Sequence, residues 1–311
     1  MRFLSSTFKR LANTEKMVIK NGKIIKTKKD EKIINIQDNK INTSDSDIKY
    51  AIIAYCSETY LDAYNFVVPS WIQNSLADKI FIYTDSSNFN QISDKVNIIP
   101  AFSKNDTWIM GTGRRLDVIK DFTFNNDDYE YFAFLDIDCF ITKDFSEVFE
   151  PFKSGLFDFS VTRLFSNPDA IRKDGSFKQN ATATAGVFFA RKNHKFKIFI
   201  NEWINLAETI KRINEKANRE HKVSYVQYSF TELAWGAFHE QKPYKLHVIS
   251  EKIYNSELQD IDAWKKDIEK YKPKILHFKG NRYSDKQLCQ EVFELYQEKN
   301  PYGITKENLN D

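Results

Sequence analysis

Residues 129–138, Tyr129-Glu130-Tyr131-Phe132-Ala133-Phe134-Leu135-Asp136-Ile137-Asp138, carry the most apolar run in the chain and end on two carboxylates. A run with no polar alternation reads as a strand covered on both faces, the condition of a parallel sheet packed between helices. The segments before it repeat the theme. Residues 50–56 (YAIIAYC), 79–85 (KIFIYTD) and 96–100 (VNIIP) read as strands. Between them, residues 59–76 place Tyr60, Leu61, Tyr64, Val67, Val68, Trp71, Ile72 and Leu76 on one helical face, with a kink expected at Pro69, and residues 114–122 (RRLDVIKDF) form a second helix. Strands alternating with helices imply an α/β, Rossmann-like domain with a mostly parallel central sheet, helices on both faces, and ligands bound at the carboxyl ends of its strands.

The pattern beyond residue 150 is mixed. Residues 157–163 and 185–192 read as strands, 194–213 and 226–240 as helices, 274–278 as a late strand and 284–299 as a closing amphipathic helix. At the other end, residues 17–26 (MVIKNGKIIK) set two β-type runs around Asn21-Gly22, a pair suited to the positive φ angles of a hairpin turn. The polar stretch that follows, to Lys49, reads as a linker. The expected organisation is an N-terminal extension over 1–48, one catalytic-sized domain over 49–300 and a tail over 301–311.

Composition narrows the class. The chain has 311 residues, 15% of them aromatic, and a net charge of +3 from 46 basic and 43 acidic residues, so it is globular and has no field that would recruit nucleic acid. The three cysteines, Cys56, Cys139 and Cys289, are far apart and lack metal-ligand spacing, which suits a reducing compartment. No apolar run approaches the roughly 18 residues of a membrane span and the start lacks the apolar core of a secretory signal, so a cytoplasmic location is expected. Phe3, Leu4, Phe8 and Leu11, with Arg2, Lys9, Arg10 and Lys16 between them, leave room for peripheral contact with an anionic membrane surface.

The chemistry concentrates at Asp136 and Asp138. Residues i and i+2 of an extended segment face the same way, and two carboxylates side by side need positive charge, which a hard divalent cation supplies. The same pattern on a loop would be two solvated acids.

This Asp-X-Asp after a hydrophobic strand resembles that of nucleotide-sugar-dependent glycosyltransferases of the GT-A fold, over about residues 50–285. The resemblance implies Mn2+ or Mg2+ on Asp136, Asp138 and a late histidine, His277, which stands in a His-X-X-Gly context (His277-Phe278-Lys279-Gly280-Asn281-Arg282). It implies a nucleotide-sugar donor, most often carried by UDP, held by Ala54, Tyr55, Cys56 and Asp85 at the ends of the first strands. Arg114 or Arg115 after Gly111-Thr112-Gly113 would reach the donor, with Lys279, Gly280 and Arg282 beside the diphosphate. The small residues Ala185 and Gly186 would leave space for the sugar. Glu232 would be the catalytic carboxylate and Trp235 an acceptor-binding ring, the acceptor being a glycan, a lipid-linked species or a protein. Two other readings of the same residues stand beside this one. One is a haloacid-dehalogenase-type phosphatase with Asp136 as nucleophile and Asp138 as acid/base; the other is a protein that binds a nucleotide sugar or glycan without turnover.

Overall fold

The computed structural model of the protein describes residues 16–20, 23–27, 48–100, 114–164, 183–216, 225–257, 261–278 and 291–292. Strands β1 (Lys16–Lys20) and β2 (Lys23–Thr27) pair antiparallel with Ile19 opposite Ile24, the hairpin expected around Asn21-Gly22. They belong to the smaller of two compact units, and the elements below belong to the larger.

The larger unit follows the alternation read from the sequence. β3 (Tyr50–Tyr55) leads through a single 3-10 turn, Glu58–Tyr60, into α1 (Leu61–Asn74), then β4 (Lys79–Thr84), β5 (Val96–Pro100), α2 (Arg114–Asn125) and β6 (Tyr131–Leu135). A short strand, β7 (Cys139–Ile141), comes next, followed by β8 (Phe159–Val161), β9 (Val187–Arg191), the long helix α3 (His194–Lys216), α4 (Tyr225–Phe238), β10 (Leu246–Val248), β11 (Ser256–Glu257), α5 (Ile261–Tyr271) and β12 (Ile275–His277). Seven strands form one sheet in the order β10-β8-β9-β6-β3-β4-β5, in which β9 alone runs against the rest. A second sheet, β11-β12-β7, joins two late strands to the one that directly follows the Asp-X-Asp.

The lack of polar alternation in the central strands has a direct cause. Tyr50, Ile52, Ala54, Tyr131, Ala133 and Leu135 pack into one buried cluster with Tyr64, Val67 and Trp71 of α1. Ala51, Ile53, Phe132 and Phe134 pack into another with Leu116, Ile119 and Phe122 of α2 and Phe199 and Trp203 of α3. Each strand is apolar on both faces because each face has its own core. Leu76 departs from the expected helical face: α1 stops at Asn74, and the leucine side chain is 70% exposed beyond it. Pro69 lies inside α1. Among the described residues no helix is long and apolar enough to cross a membrane.

β4 lies on one side of β3 and β6 on the other, so the connection changes direction between β3 and β6, the point at which open α/β sheets bind ligands beyond the carboxyl ends of their strands. β7 is held by polar groups of α1. Trp71 Nε1–H donates to the Cys139 carbonyl at 2.5 Å, Asn74 Nδ2 donates to the Ile141 carbonyl at 2.8 Å, and the Ile141 N–H donates to Ser70 Oγ at 2.9 Å. A helix therefore stands in for the missing sheet neighbour along that edge of β7. Replacing Ser70, which is buried, by Ala strands the Ile141 N–H and is expected to cost about 1–3 kcal/mol in urea denaturation.

Candidate active site

Asp136, Ile137 and Asp138 bridge the two sheets as a turn rather than as an extended segment. The Cys139 N–H donates to the Asp136 carbonyl at 3.1 Å, the Asp136 N–H donates to the Gly186 carbonyl at 2.7 Å, and the Phe278 N–H donates to the Asp138 carbonyl at 2.8 Å. Alternation along a strand is thus not what brings the two carboxylates together. The turn and its three anchors do it, because β9 runs antiparallel to β6 and brings Gly186 to the same edge, while β12 sets His277 opposite Cys139.

The packing around Gly186 is close. A Cβ added there would lie 2.4 Å from Asp136 Oδ2 and 3.2 Å from His277 Cε1. The space a methyl group would need is already taken by Asp136 and His277, so the glycine makes room for the protein's own polar groups. Ala185 is fully buried within the core, and its N–H donates to Gln227 Oε1 of α4 at 3.3 Å.

His277 Nε2 lies 3.2 Å from Asp138 Oδ1, and both side chains are almost wholly buried. Arg115, at the start of α2, grips Asp136: its Nη2 sits 2.6 and 2.7 Å from the two carboxylate oxygens, with Nε 3.2 Å from the nearer one. Burial raises the Asp136 carboxyl above the ordinary range; Arg115 opposes the rise and the charge of Asp138 adds to it. Burial works against a charged His277, yet Asp138 and then Asp136 outweigh it and raise the imidazole above its usual value. Cys139 places its thiol with Asp138 and His277 in a group whose ligand atoms all lie within 4.8 Å of one another. Burial first, then both carboxylates, push that thiol well up and keep it protonated. A carboxylate oxygen and an imidazole nitrogen facing one point, with a second carboxylate beside them, fit Mn2+ more closely than Mg2+, which favours oxygen alone.

Two residues with no role in the sequence reading belong to this site. Tyr60, placed there on a core-facing helix, sits in the 3-10 turn after β3, near enough that the charges of Asp138 and Asp136 add to burial in raising its phenol. Asn255 is completely buried and offers Oδ1 to His277 Nδ1 at 2.8 Å. No motif marks Asn255 in the sequence, since the contact joins residues far apart in the chain.

The expected donor residues at the first strands gather in a neighbouring cluster. Tyr55 donates its hydroxyl to Asp85 Oδ2 at 3.1 Å, while Asp85 Oδ1 is buried with no hydrogen-bond partner. Burial and then Asp85 raise the Tyr55 phenol, and the nearby Arg114 guanidinium partly offsets them. Ala54 and Cys56 are fully buried, and burial followed by the charge of Asp85 raises the Cys56 thiol. Trp203 is core, its Nε1–H donating to the Val226 carbonyl at 2.9 Å. Lys279, Gly280, Arg282, the Gly111–Gly113 stretch, the basic N-terminal segment and most of the 284–299 helix lie outside the described residues.

Glu232 stands apart from the cation group, on α4, whose first turn is tied to the Ala183–Ala185 segment by Gln227. Its carboxylate is partly buried and has no hydrogen bond or ion pair among the described residues, and burial alone raises it to about 7. One turn on, Trp235 stacks on His239 with ring centroids 5.3 Å apart.

No protein-family model and no curated protein matches the sequence. Solved structures do. The glycosyltransferase GlyE of Streptococcus pneumoniae TIGR4 aligns with a TM-score of 0.50 at 15% identity, over 80% of this chain and 60% of GlyE. The apo form of GlyE gives 0.48 at 18% identity over the same shares, and the apo structure of the bifunctional glycosyltransferase WbbM gives 0.47 at 10% identity, over 76% of this chain and 47% of WbbM. The likeness to GlyE is one of fold. The α/β architecture, with its mostly parallel seven-stranded sheet, is of the GT-A-like kind, and the chain spans 60% of the length of GlyE.

Gly186→Ala tests the packing at the heart of the site. The added methyl overlaps Asp136, so the variant is expected to lose about 1–3 kcal/mol of stability in denaturant titration and to displace Asp136 from Arg115 in a crystal structure.

Proposed function

We propose that the protein is a metal-dependent glycosyltransferase that moves a sugar from a nucleotide-sugar donor, with UDP as the carrier, to a hydroxyl of a glycan, lipid-linked or protein acceptor. The observation that carries this reading is the meeting of Asp136, Asp138 and His277 around Gly186 at the carboxyl edge of the sheet. The fold shared with GlyE, a glycosyltransferase, supports it.

Asp138 and His277 would hold Mn2+ directly, with Asp136 completing the acidic side. When bound, the cation supplies positive charge to the donor diphosphate, where negative charge develops as the sugar departs. The chain's own groups account for the rest. Asp85, with one oxygen steadied by Tyr55 and the other buried without a partner, accepts hydrogen bonds from the base or ribose. Arg115 holds Asp136 in one orientation and would also meet the donor, and Arg114 adds positive charge beside Tyr55. Lys279, Gly280 and Arg282, which follow His277 closely in the sequence, would complete the diphosphate side. Glu232 serves as the base for the acceptor hydroxyl, and Trp235 offers its ring to an acceptor sugar.

Calorimetric titration of UDP, GDP and CDP, with and without Mn2+, tests the donor class. Metal-dependent binding of UDP that falls at least about tenfold in Asp138→Asn is expected; no nucleotide binding by the folded protein would sink the reading. The pH profile tests Glu232. As a base it acts when ionised, so turnover is expected to rise through about pH 7 and to be lost in Glu232→Gln. The stability sign is opposite. The native carboxyl keeps its proton up to about 7 while the unfolded one releases it near 4.5, so the stability held below 4.5 is lost as the pH rises through 7. Glu232→Gln is therefore expected to resist urea better than the parent on the alkaline side, by on the order of 1 kcal/mol, and to match it in acid.

A further inference from the structure

The buried polar groups behind His277 form a chain that ends on two threonines. Asn255 Nδ2 lies 3.1 Å from Thr162 Oγ1 and 3.4 Å from Thr184 Oγ1, and the two hydroxyls lie 3.0 Å from each other. Asn255 Oδ1 faces His277 Nδ1 at 2.8 Å, and on the far side of the ring Nε2 faces Asp138 Oδ1 at 3.2 Å. Asn255 is fully buried and Thr162 nearly so, so water does not reach the amide or the Thr162 hydroxyl from outside, while Thr184 is partly exposed.

Counting protons fixes the orientation of the amide. Each threonine hydroxyl has one hydrogen. If the amide were turned, with Oδ1 toward the threonines, the three contacts among Oδ1 and the two hydroxyls would share only two hydrogens, and one contact would be left without a proton. With Nδ2 toward the threonines, the amide donates to both hydroxyls, one hydroxyl donates to the other, and every contact is satisfied. Oδ1 is then left facing His277, and an acceptor there requires a hydrogen on Nδ1.

We infer that Asn255 is a positioning residue that holds the proton of His277 on Nδ1 and so keeps Nε2 as the nitrogen that faces Asp138 and a cation, with Thr162 and Thr184 fixing the amide. In the free protein a second proton on Nε2 completes the contact with Asp138. A cation at that point takes the place of this second proton only, and the Nδ1–H···Oδ1 bond is untouched. The opposite amide orientation would put the proton of the neutral ring on Nε2 and close the nitrogen to a metal. The inference rests on the metal site proposed above, but the state of the ring can be read without any metal.

The test uses the full chain labelled with 15N-histidine; among its five histidines His277 is assigned by the loss of its signals in His277→Gln. Long-range 1H–15N spectra of Asp138→Ala in alkaline buffer, where the ring is neutral and no carboxylate competes for its proton at Nε2, are expected to show the hydrogen on Nδ1. When Asn255→Leu, which keeps the shape and removes the acceptor, is added, that preference is expected to disappear; made alone in the parent it is expected to lower Mn2+ affinity, followed by electron paramagnetic resonance, about 10- to 100-fold. Asn255→Asp, which keeps an acceptor toward Nδ1, should retain the Nδ1 tautomer in the Asp138→Ala chain and Mn2+ affinity in the parent. Thr184→Val, a gentler change should Asn255→Leu fail to fold, removes one hydroxyl from the proton count and is expected to shift the ring of the Asp138→Ala chain partly toward the Nε2 tautomer. An Nε2–H tautomer in Asp138→Ala, or a ring there that neither Asn255→Leu nor Thr184→Val changes, would overturn the inference. Absence of Mn2+ binding by the parent, with the Nδ1 proton present in Asp138→Ala, would overturn the metal reading instead and leave the tautomer assignment standing.

Discussion

The contact on which the site depends is the one between Asp136 and Gly186. The backbone bond from the Asp136 N–H to the Gly186 carbonyl, 2.7 Å long, fastens the end of β6 to the start of β9, and the missing side chain lets Asp136 and His277 close over the same point. Any larger residue at 186 would displace the Asp136 carboxylate and crowd the His277 ring, both set in a densely packed edge. Interiors of this density do not yield a few tenths of an ångström without cost elsewhere, so the position of the carboxylates is inherited from the whole sheet.

Electrostatics then decide what such a site can hold. Two carboxylates in a partly dry edge repel, and the protein supplies two compensations of different kinds. Arg115 is permanently charged and engages Asp136 through a fork of donors, a fixed neutralisation. His277 faces Asp138 with a nitrogen that can carry a proton or surrender it, an exchangeable one. The acidic turn is thus faced by one fixed positive group and by one whose charge can be exchanged. Its backing is polar and largely buried, and ties the ring of His277 to Asn255 and the threonines.

The βα order, the double-sided burial of β3 and β6, the β1–β2 pairing and the position of Asp136 and Asp138 at the end of a buried strand were legible in the sequence because each rests on local pattern: apolar runs, turn dipeptides, acids at a strand end. Strand direction was not. Residues 185–192 read as a strand, but nothing in an apolar run says that β9 lies antiparallel beside β6, and that reversal is what carries Gly186 to the acids. The short strands β7, β10 and β11 escaped for a related reason. They have three residues or fewer and take their stability from partners elsewhere in the chain: β7 from Ser70, Trp71 and Asn74, β10 from β8 and β11 from β12.

By itself the sequence determined the α/β class, the strand on which the site is built, and the types of side chain available there, since burial periodicity and charge are properties of neighbouring residues. Tertiary structure alone decided that the Asp-X-Asp is a turn, that Gly186 serves the packing of Asp136 and His277, that Arg115 is spent on Asp136, and that Asn255 stands behind His277. The physical reason is common to the last three. Each is a contact between residues distant in the chain, fixed by strand order and register, and a hydrogen bond or a missing methyl group leaves no periodic trace in a sequence.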